Sequence, residues 1–257
     1  SGDTWTSFQQ LFTSNGYKPN LLYAFDWNTL AQGANNAGTL DAFIDRVLAK
    51  TGAPKVRLIG HSAGGGLCYT YLSVASRAAK TDGYVHIGSS VQSGPAGPGG
   101  SVPTLNIWSN GDKVATGGNI AGATNVQIPD QDHYQVATGA ASFAAVWQFF
   151  HAKAPDHLTP VPEQIVCIAG RAVTFGENAP AIGAKVEIYE VNPFTGQRVS
   201  PDPLHSLVCD SLGFWKPVNV PAGVTFEFVV NTGKANDRVV HYFREGFPHS
   251  NPPVYPR

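Results

Sequence analysis

The chain of 257 residues is poor in charge, in cysteine and in long apolar runs. Only 14% of its residues are charged and its net charge is -1, which gives no basis for binding nucleic acid or an anionic membrane surface. No run approaches the ~18 consecutive apolar residues of a membrane span. Three cysteines do not make a disulfide scaffold, and no Cys/His spacing suggests a metal site. What remains is a loop-rich soluble protein.

The cysteines and the missing methionine lead to further expectations. Cys68 is predicted to be a small buried residue, whereas Cys167 and Cys209 lie in separate strand-like runs. The latter two are either a disulfide of a secreted protein or two thiols in a core. Because the chain begins with serine and contains no methionine, we expect a processed product or a fragment, in which the absence of a signal peptide is uninformative. The expected localisation is extracellular.

One stretch joins an aliphatic strand to an apolar helix through a sharp turn. It runs from Val56 through Gly60-His61-Ser62-Ala63-Gly64 to Leu72. Such a turn forces one residue into a strained backbone, and the two flanking glycines would let strand and helix approach closely. The serine hydroxyl would then lie at the carboxyl end of a sheet, beside the N–H groups of a helix N-terminus. The pattern predicts Ser62 as a nucleophile and the Ala63 N–H as an oxyanion donor; the alternative is a plain glycine-rich turn.

An acid and a base follow this serine. The strand pattern Thr104 to Trp108 leads into a turn with Asp112, and the pattern Asn125 to Ile128 leads to His133. A serine hydroxyl is a poor nucleophile without a base, and the base needs an orienting acid. Hydrolases built on this turn have the chain order Ser, Asp or Glu, His. We therefore predict Ser62, Asp112 and His133 as nucleophile, acid and base.

Other side chains compete for these roles. Asp130 and Asp132 could replace Asp112, but they are too near His133 in sequence to approach its ring easily from behind. His61 is interpreted as a packing residue, because a residue adjacent to the nucleophile on such a turn points away from it. The remaining histidines are predicted to be structural or solvated.

The first part of the chain, roughly Thr4 to His151, resembles the minimal bacterial and archaeal lipases and esterases of the α/β-hydrolase superfamily. The matching pieces are Tyr23-Ala24-Phe25-Asp26-Trp27, Gly60-His61-Ser62-Ala63-Gly64-Gly65, Asn110-Gly111-Asp112 and Asp132-His133. The resemblance implies a mostly parallel sheet with helices and ester hydrolysis through Ser62, Asp112 and His133, with no cofactor. It also implies an earlier strand ending in His-Gly that supplies the second oxyanion donor. Ser1 to Trp5 resembles only the end of that loop, so we expect the first strand to be missing.

The elements of this part follow from helical and strand periodicity. A helix capped by Asp3 or Thr4 is expected to end at Asn15-Gly16. The others are a strand Asn20 to Trp27, a loop Asn28 to Gly38, a helix from Thr39 to Gly52, a strand Tyr84 to Gly88 and a helix Ser142 to His151.

The composition shifts after Lys153. We divide the chain into a catalytic domain at 1–154, a proline-rich linker at 155–163 and an accessory β-domain at 164–257. Alternation and β-branched residues beyond the linker predict a small antiparallel sandwich. Its strands are Ile165 to Arg171, Lys185 to Val191, Leu204 to Cys209, Phe214 to Val220, Thr225 to Val230 and Arg238 to Phe243.

The β-domain has its own resemblance. The patterns Gly170 to Val173 and Ala181 to Tyr189 resemble the prealbumin-like modules appended to many secreted enzymes. Because neighbouring residues of a strand point to opposite faces, Phe214 and Trp215 cannot both face one core. The outward residue either makes a contact between the domains or helps to hold a lipid or polymer surface.

The sequence therefore predicts a serine carboxylic-ester hydrolase, a lipase or an esterase. Its substrates would be acylglycerols or other carboxylic esters. A polyester depolymerase or an amidase on the same three residues is an alternative. A non-catalytic protein that binds a lipid or a glycan is an alternative of another class, and the intact Ser, Asp and His argue against it.

Overall fold

A computed structural model of the chain describes residues 2–29, 34–174, 179–250 and 253–254. The helices are α1 Thr6–Ser14, α2 Asn36–Thr51, α3 Ala63–Leu72, α4 Ala75–Ala78, α5 Gln135–Thr138 and α6 Ala140–His151, with 3-10 turns at Gly2–Trp5, Pro19–Leu21 and Pro98–Gly100. The strands are β1 Val56–His61, β2 Thr81–Ile87, β3 Thr104–Trp108, β4 Thr124–Gln127, β5 Ile165–Arg171, β6 Lys185–Val191, β7 His205–Val208, β8 Phe214–Pro221, β9 Thr225–Asn231, β10 Val240–Arg244 and β11 Pro253–Val254. Two compact units result: Asn20–Leu158, and Ser1–Pro19 with Thr159–Arg257.

The unit Asn20–Leu158 is built on a four-stranded sheet in the order β1-β2-β3-β4. All neighbouring pairs are parallel. The central strands β2 and β3 are almost wholly buried, as is usual when helices cover a parallel sheet. Because the strands are parallel, the residues that follow β1, β3 and β4 meet at one edge of the sheet. The predicted α/β architecture is confirmed.

Helices α2 and α3 contribute to the core beside this sheet. Their buried side chains meet those of the strands and loops in one cluster: Leu40, Ile44, Cys68, Tyr71, Leu72, Ala78, Tyr84, Ala96 and Val102. Helix α2 begins earlier than predicted, because Asn35 rather than Thr39 is its cap and accepts the Gly38 N–H at 3.0 Å. It ends where predicted, at Gly52, whose left-handed φ of 69° suits glycine.

Two predictions near the start of the chain are wrong. Residues 22–28 form no strand, because a strand needs a hydrogen-bonding neighbour and none of the described strands pairs with this segment. A 3-10 turn over Gly2–Trp5 precedes α1, so neither Asp3 nor Thr4 stands directly before that helix. The predicted end of α1 at Asn15-Gly16 is confirmed. Residues 30–33 of the predicted loop Asn28 to Gly38 lie outside the described residues.

The cysteines are all free thiols. Cys68 and Cys209 are buried, while Cys167 is partly buried. Burial raises the pKa of the Cys68 thiol to about 12 and also raises that of Cys209. Of the two alternatives for Cys167 and Cys209, the structure has two thiols rather than a disulfide.

The second unit contains the predicted β-sandwich. One sheet has the antiparallel order β10-β9-β6-β7 and the other the order β11-β5-β8. The short strand β11 was not predicted and pairs in parallel with β5. The two sheets enclose a core that includes Val166, Ile168, Val186, Ile188, Trp215, Phe226, Phe228 and Phe247.

The neighbouring aromatic residues Phe214 and Trp215 lie on opposite faces of β8. Trp215 is 3% exposed within the core, whereas Phe214 is 43% exposed. The prediction that one of the pair faces outward is therefore confirmed. Among the helices that the structure describes, none has the length and apolar character to cross a membrane.

Candidate active site

Ser62 lies between the end of β1 and the start of α3 in a strained backbone conformation. Its φ is 54° and its ψ is -126°, in a region that costs a non-glycine residue about 1–3 kcal/mol. The surroundings hold it there: the Ser62 N–H donates to the Ile87 carbonyl at 3.1 Å, and the Ser89 hydroxyl donates to the Ser62 carbonyl at 2.8 Å. This is the geometry expected of a serine on a strand–turn–helix elbow.

Of the two glycines that flank Ser62, Gly60 has the predicted role and Gly64 does not. A Cβ on Gly60 would lie 2.8 Å from the Gly64 carbonyl oxygen, so Gly60 permits the close approach of strand and helix. A Cβ on Gly64 would meet nothing within 4 Å, and the prediction that this position also requires a small residue is wrong. The second tight position is Gly65, where a Cβ would lie 2.6 Å from the Ser89 hydroxyl oxygen.

The structure brings Asp112 and His133 together. The Nδ1 atom of His133 lies 2.8 Å from Oδ2 of Asp112. The Asp112 side chain is 1% exposed, whereas that of His133 is 21% exposed and partly open to solvent. The two residues follow the neighbouring parallel strands β3 and β4, which explains how residues 21 positions apart meet.

Asp112 is held as a carboxylate. Its Oδ1 atom accepts the backbone N–H groups of Val114 at 2.8 Å and Ala115 at 2.9 Å. Burial alone would raise the pKa of Asp112, but the bonds from Ala115, His133 and Val114 outweigh it and lower that pKa below its usual value. One carboxylate oxygen therefore fixes the loop while the other faces the imidazole.

The two competing carboxylates have other partners. Asp130 is exposed, and its Oδ1 lies 3.4 Å from the Asn110 amide nitrogen. Asp132 accepts the N–H groups of Tyr134 at 2.9 Å and Gln135 at 2.7 Å, at the start of α5. Of the three candidate acids, only Asp112 is hydrogen-bonded to His133.

His61 does more than the packing role that the sequence suggested. Its Nε2 atom lies 2.8 Å from the backbone carbonyl oxygen of His133, and the two rings have centroids 4.5 Å apart. Burial, together with the neighbouring His133, lowers the pKa of His61 to about 4. The adjacency argument considered only Ser62, whereas the ring is directed to a loop 72 residues further along the chain.

Gly88, which follows β2, was not singled out from the sequence. Its φ is 47°, and a Cβ there would lie 3.0 Å from a Val136 methyl, 3.3 Å from Oδ2 of Asp112 and 3.4 Å from Cδ2 of His61. A glycine directly after a central strand was the only sequence signal for it. Its missing side chain makes room for the acid and for His61.

Ala63 begins α3, and the first N–H groups of a helix have no acceptor within the helix. That leaves the Ala63 N–H free of a helical partner beside Ser62, where a developing oxyanion would need a donor. The structure contains no hydrogen bond between the Ser62 hydroxyl and His133, both of which are described residues. Such bonds are often long before a substrate is bound.

A buried network lies behind the elbow. The Tyr84 hydroxyl is 2.7 Å from Nδ1 of His86, and Nε2 of His86 is 3.0 Å from the Ser90 carbonyl oxygen. Burial lowers the pKa of His86, so its neutral ring donates from Nε2, and its unprotonated Nδ1 shares the single Tyr84 hydroxyl proton with the Gly65 carbonyl oxygen, which lies 3.0 Å from that hydroxyl. In the described part of the chain, no group of three His, Cys, Asp or Glu side chains is arranged to hold a metal ion.

Two family models match the chain. The model of lecithin:cholesterol acyltransferase matches residues 1–117, which include Ser62 and Asp112. The model of the lipase C-terminal domain matches residues 164–255.

Solved hydrolase structures are also similar to parts of the chain. A predicted CIB-like hydrolase from Thermoplasma acidophilum is 16% identical with a TM-score of 0.43, over 59% of this chain and 80% of that one. A lipase from Bacillus licheniformis in its propeptide form is 14% identical with a TM-score of 0.42, over 90% and 69%. An α/β-hydrolase from a lagoon-sediment metagenome of Mar Chica, Morocco, is 14% identical with a TM-score of 0.33, over 47% and 72%. The two family matches together support an α/β-hydrolase of the lipase and esterase type with a C-terminal lipase domain.

Proposed function

We propose that the protein hydrolyses carboxylic esters through a covalent acyl-serine intermediate on Ser62. The observation that carries the proposal is the 2.8 Å bond between Asp112 and His133 at the edge of the sheet where Ser62 lies strained on its elbow. A buried carboxylate behind an accessible imidazole is the arrangement that makes a nearby serine hydroxyl nucleophilic.

Acylation begins when the Ser62 Oγ atom attacks the ester carbonyl carbon. Nε2 of His133 takes the hydroxyl proton as the new C–O bond forms, and the carbonyl oxygen becomes an oxyanion. When the tetrahedral species collapses, the bond to the alcohol breaks and His133 returns the proton to the departing alkoxide. A water molecule then attacks the acyl-serine in the same way and releases the carboxylic acid with free Ser62.

The protein lowers the activation barrier of ester hydrolysis by placing polar groups where charge develops in the transition state. The Asp112 carboxylate orients the His133 ring through Nδ1 and stabilises its transient positive charge. The Ala63 N–H, at the start of α3, is the proposed donor to the developing oxyanion, and one such donor contributes on the order of 3 kcal/mol in comparable sites.

The family match supports the proposed substrate class. Lecithin:cholesterol acyltransferase is named for a lipid ester, and the matched segment carries the elbow and the acid. We propose acylglycerols or other carboxylic esters as substrates, on which the serine mechanism above requires no cofactor. Polyesters and amides would be attacked by the same steps.

A fluorophosphonate is expected to label the protein once, on Ser62. The reagent phosphylates only a serine that an adjacent base activates, because ordinary hydroxyl groups are too weak as nucleophiles. Peptide mapping of the labelled protein by mass spectrometry identifies the residue, and hydrolysis of p-nitrophenyl esters measured in parallel gives the activity lost.

Ser89 provides the internal control, since its hydroxyl donates to the Ser62 carbonyl and should stay unlabelled. An adduct elsewhere, or no adduct in a preparation that hydrolyses esters, contradicts the proposed nucleophile. A chain that neither labels nor hydrolyses any ester favours the non-catalytic alternative.

We propose further that the second unit contacts the lipid interface through one end of its sandwich. Leu212 and Phe214 are 60% and 43% exposed there. Arg171 joins them, because its Nε donates to the Leu212 carbonyl at 2.8 Å and its guanidinium lies 5.3 Å from the Phe214 ring centroid. Adjacent exposed apolar side chains with a cation suit a surface of acyl chains and polar head groups.

Replacing both Leu212 and Phe214 by serine is expected to lower the rate on emulsified triacylglycerol about tenfold, since two apolar side chains no longer enter the interface. The rate on a soluble short-chain ester should change less than about twofold. Phe194→Ser is the matched control, because Phe194 is fully exposed at the opposite end of β6 from this patch. An unchanged ratio of the two rates in the double variant would remove the interfacial role.

A further inference from the structure

His61 connects the nucleophile elbow to the loop that carries the base. It is the last residue of β1 and the residue directly before Ser62. Its Nε2 atom lies 2.8 Å from the backbone carbonyl oxygen of His133, which follows β4 at the other edge of the same sheet. The His61 side chain therefore links the residue directly before the nucleophile to the backbone of the base.

The direction of this hydrogen bond follows from the chemistry of its two partners. A carbonyl oxygen only accepts, so the bond requires a proton on Nε2 of His61. Burial and the nearby His133 lower the pKa of His61 to about 4, so the ring is neutral at neutral pH and Nδ1 carries no proton. No second imidazolium then lies beside His133 when His133 accepts the serine proton.

Other polar anchors of the loop that carries His133 join it to the end of β3 and the turn after it, where the Asp130 N–H also donates to Oδ1 of Asn110 at 3.0 Å. The Gln131 N–H donates to the Ser109 hydroxyl oxygen at 2.9 Å, which ties the loop to the end of β3. The Asp112 bond holds the His133 ring but not its backbone. The His61 bond is the anchor that fixes the His133 backbone relative to the strand that carries Ser62.

We propose that His61 is a positioning residue, which sets the separation between the Ser62 hydroxyl and the His133 imidazole through its hydrogen bond to the His133 carbonyl. This inference rests on the proposed function, because it assigns His61 a part in proton transfer from Ser62. Proton transfer and attack depend steeply on geometry, and a misplacement of about 1 Å can lower a rate about 100-fold.

Two substitutions separate the hydrogen bond from the volume of the side chain. His61→Leu fills similar space without a donor, whereas His61→Gln places an amide N–H close to the position of Nε2. We expect kcat per fluorophosphonate-titrated site to fall 10- to 100-fold in His61→Leu, with KM for a soluble ester within about threefold. His61→Gln should recover kcat to within about threefold of the unaltered protein.

His205→Leu is the matched control for the loss of an imidazole–carbonyl bond. Nε2 of His205 lies 2.9 Å from the Asn219 carbonyl oxygen in the β-sandwich, so this variant loses the same kind of bond in the other unit. Its kcat per titrated site should be unchanged. A merely structural role for His61 would lower the number of titrated sites but not the turnover of each.

A spectroscopic measurement on the unaltered chain tests the bond even where a variant does not fold. In ¹⁵N-labelled protein, NMR should show the His61 ring as the neutral tautomer protonated at Nε2, with no titration above pH ~5. A proton on Nδ1, or titration near the ordinary histidine value, would overturn the proposal.

The kinetic outcomes also distinguish a failure of the positioning role of His61 from a failure of the proposed function. If the unaltered protein labels at Ser62 while His61→Leu keeps its kcat per site within twofold, His61 has no positioning role and the proposed function stands. If His61→Gln is as slow as His61→Leu, the donor is not what matters and the proposal is wrong. If the unaltered protein is not labelled at Ser62, the proposed function fails and this inference fails with it.

Discussion

Alanine at position 62 is expected to lower kcat for p-nitrophenyl ester hydrolysis by about 10⁴-fold or more. The Ser62→Ala variant removes the atom that forms the acyl bond and leaves only the remaining polar groups to act on a bound ester. The effect on folding should be small, because the backbone bonds of residue 62 to Ile87 and Ser89 do not involve its side chain. Activity assays at matched protein concentrations measure the effect on kcat, and circular dichroism measures any effect on folding.

Ser73→Ala is the control for this substitution. The Ser73 hydroxyl is exposed at the other end of α3 and donates to the Thr70 carbonyl at 2.8 Å. Its loss should leave kcat within about twofold. A Ser62→Ala variant that keeps more than one hundredth of the activity would mean that another residue attacks the ester.

The Asp112→Asn variant is expected to lower kcat about 10⁴-fold with little change in fold. Its amide oxygen can still accept the N–H groups of Val114 and Ala115, as Oδ1 of the aspartate does. That places the amide NH₂ where Oδ2 now faces Nδ1 of His133. Because an NH₂ group only donates, Nδ1 must give up its proton, and Nε2 then carries a proton and cannot accept that of Ser62.

Asp130→Asn is the matched control, since Asp130 is exposed and contacts Asn110 rather than His133. It should retain kcat within about threefold. Equal losses in the two variants, or a larger loss in Asp130→Asn, would show that the acid has been misassigned. The measurement is the steady-state rate on a soluble ester, normalised to the molar concentration of folded protein.

Local patterns predicted the parts of the fold that local chemistry determines. The elbow, the central strands and the strands β5 and β6 were all visible as runs of aliphatic or alternating residues. The segment 22–28 has a similar pattern but forms no strand, because strand formation depends on a partner that the pattern cannot supply. The two-residue strand β11 was not predicted, because it has almost no local pattern of its own and forms only through its non-local pairing with β5.

The residues that the candidate site brings together were predictable from the sequence, but the contacts that support them were not. The order of serine, acid and base along the chain pointed to Asp112, because each group follows a strand of one parallel sheet. The Gly65 contact with Ser89 and the His61 bond to His133 both join segments that only the folded sheet brings together. Sequence adjacency misled at His61, whose hydrogen-bond partner lies 72 residues further along the chain, and at Gly64, where a Cβ would meet nothing within 4 Å.

The parallel sheet also makes the site a late product of folding. Ser62, Asp112 and His133 follow three different strands, so no single strand with its following loop contains two of them. Sliding one strand by a single residue displaces its loop by about 3.3 Å, more than the 2.8 Å bond between Asp112 and His133 can tolerate. During refolding, a collapsed chain with helices but an unregistered sheet would be inert, and returning ester turnover reports the moment at which β1, β3 and β4 reach their native alignment.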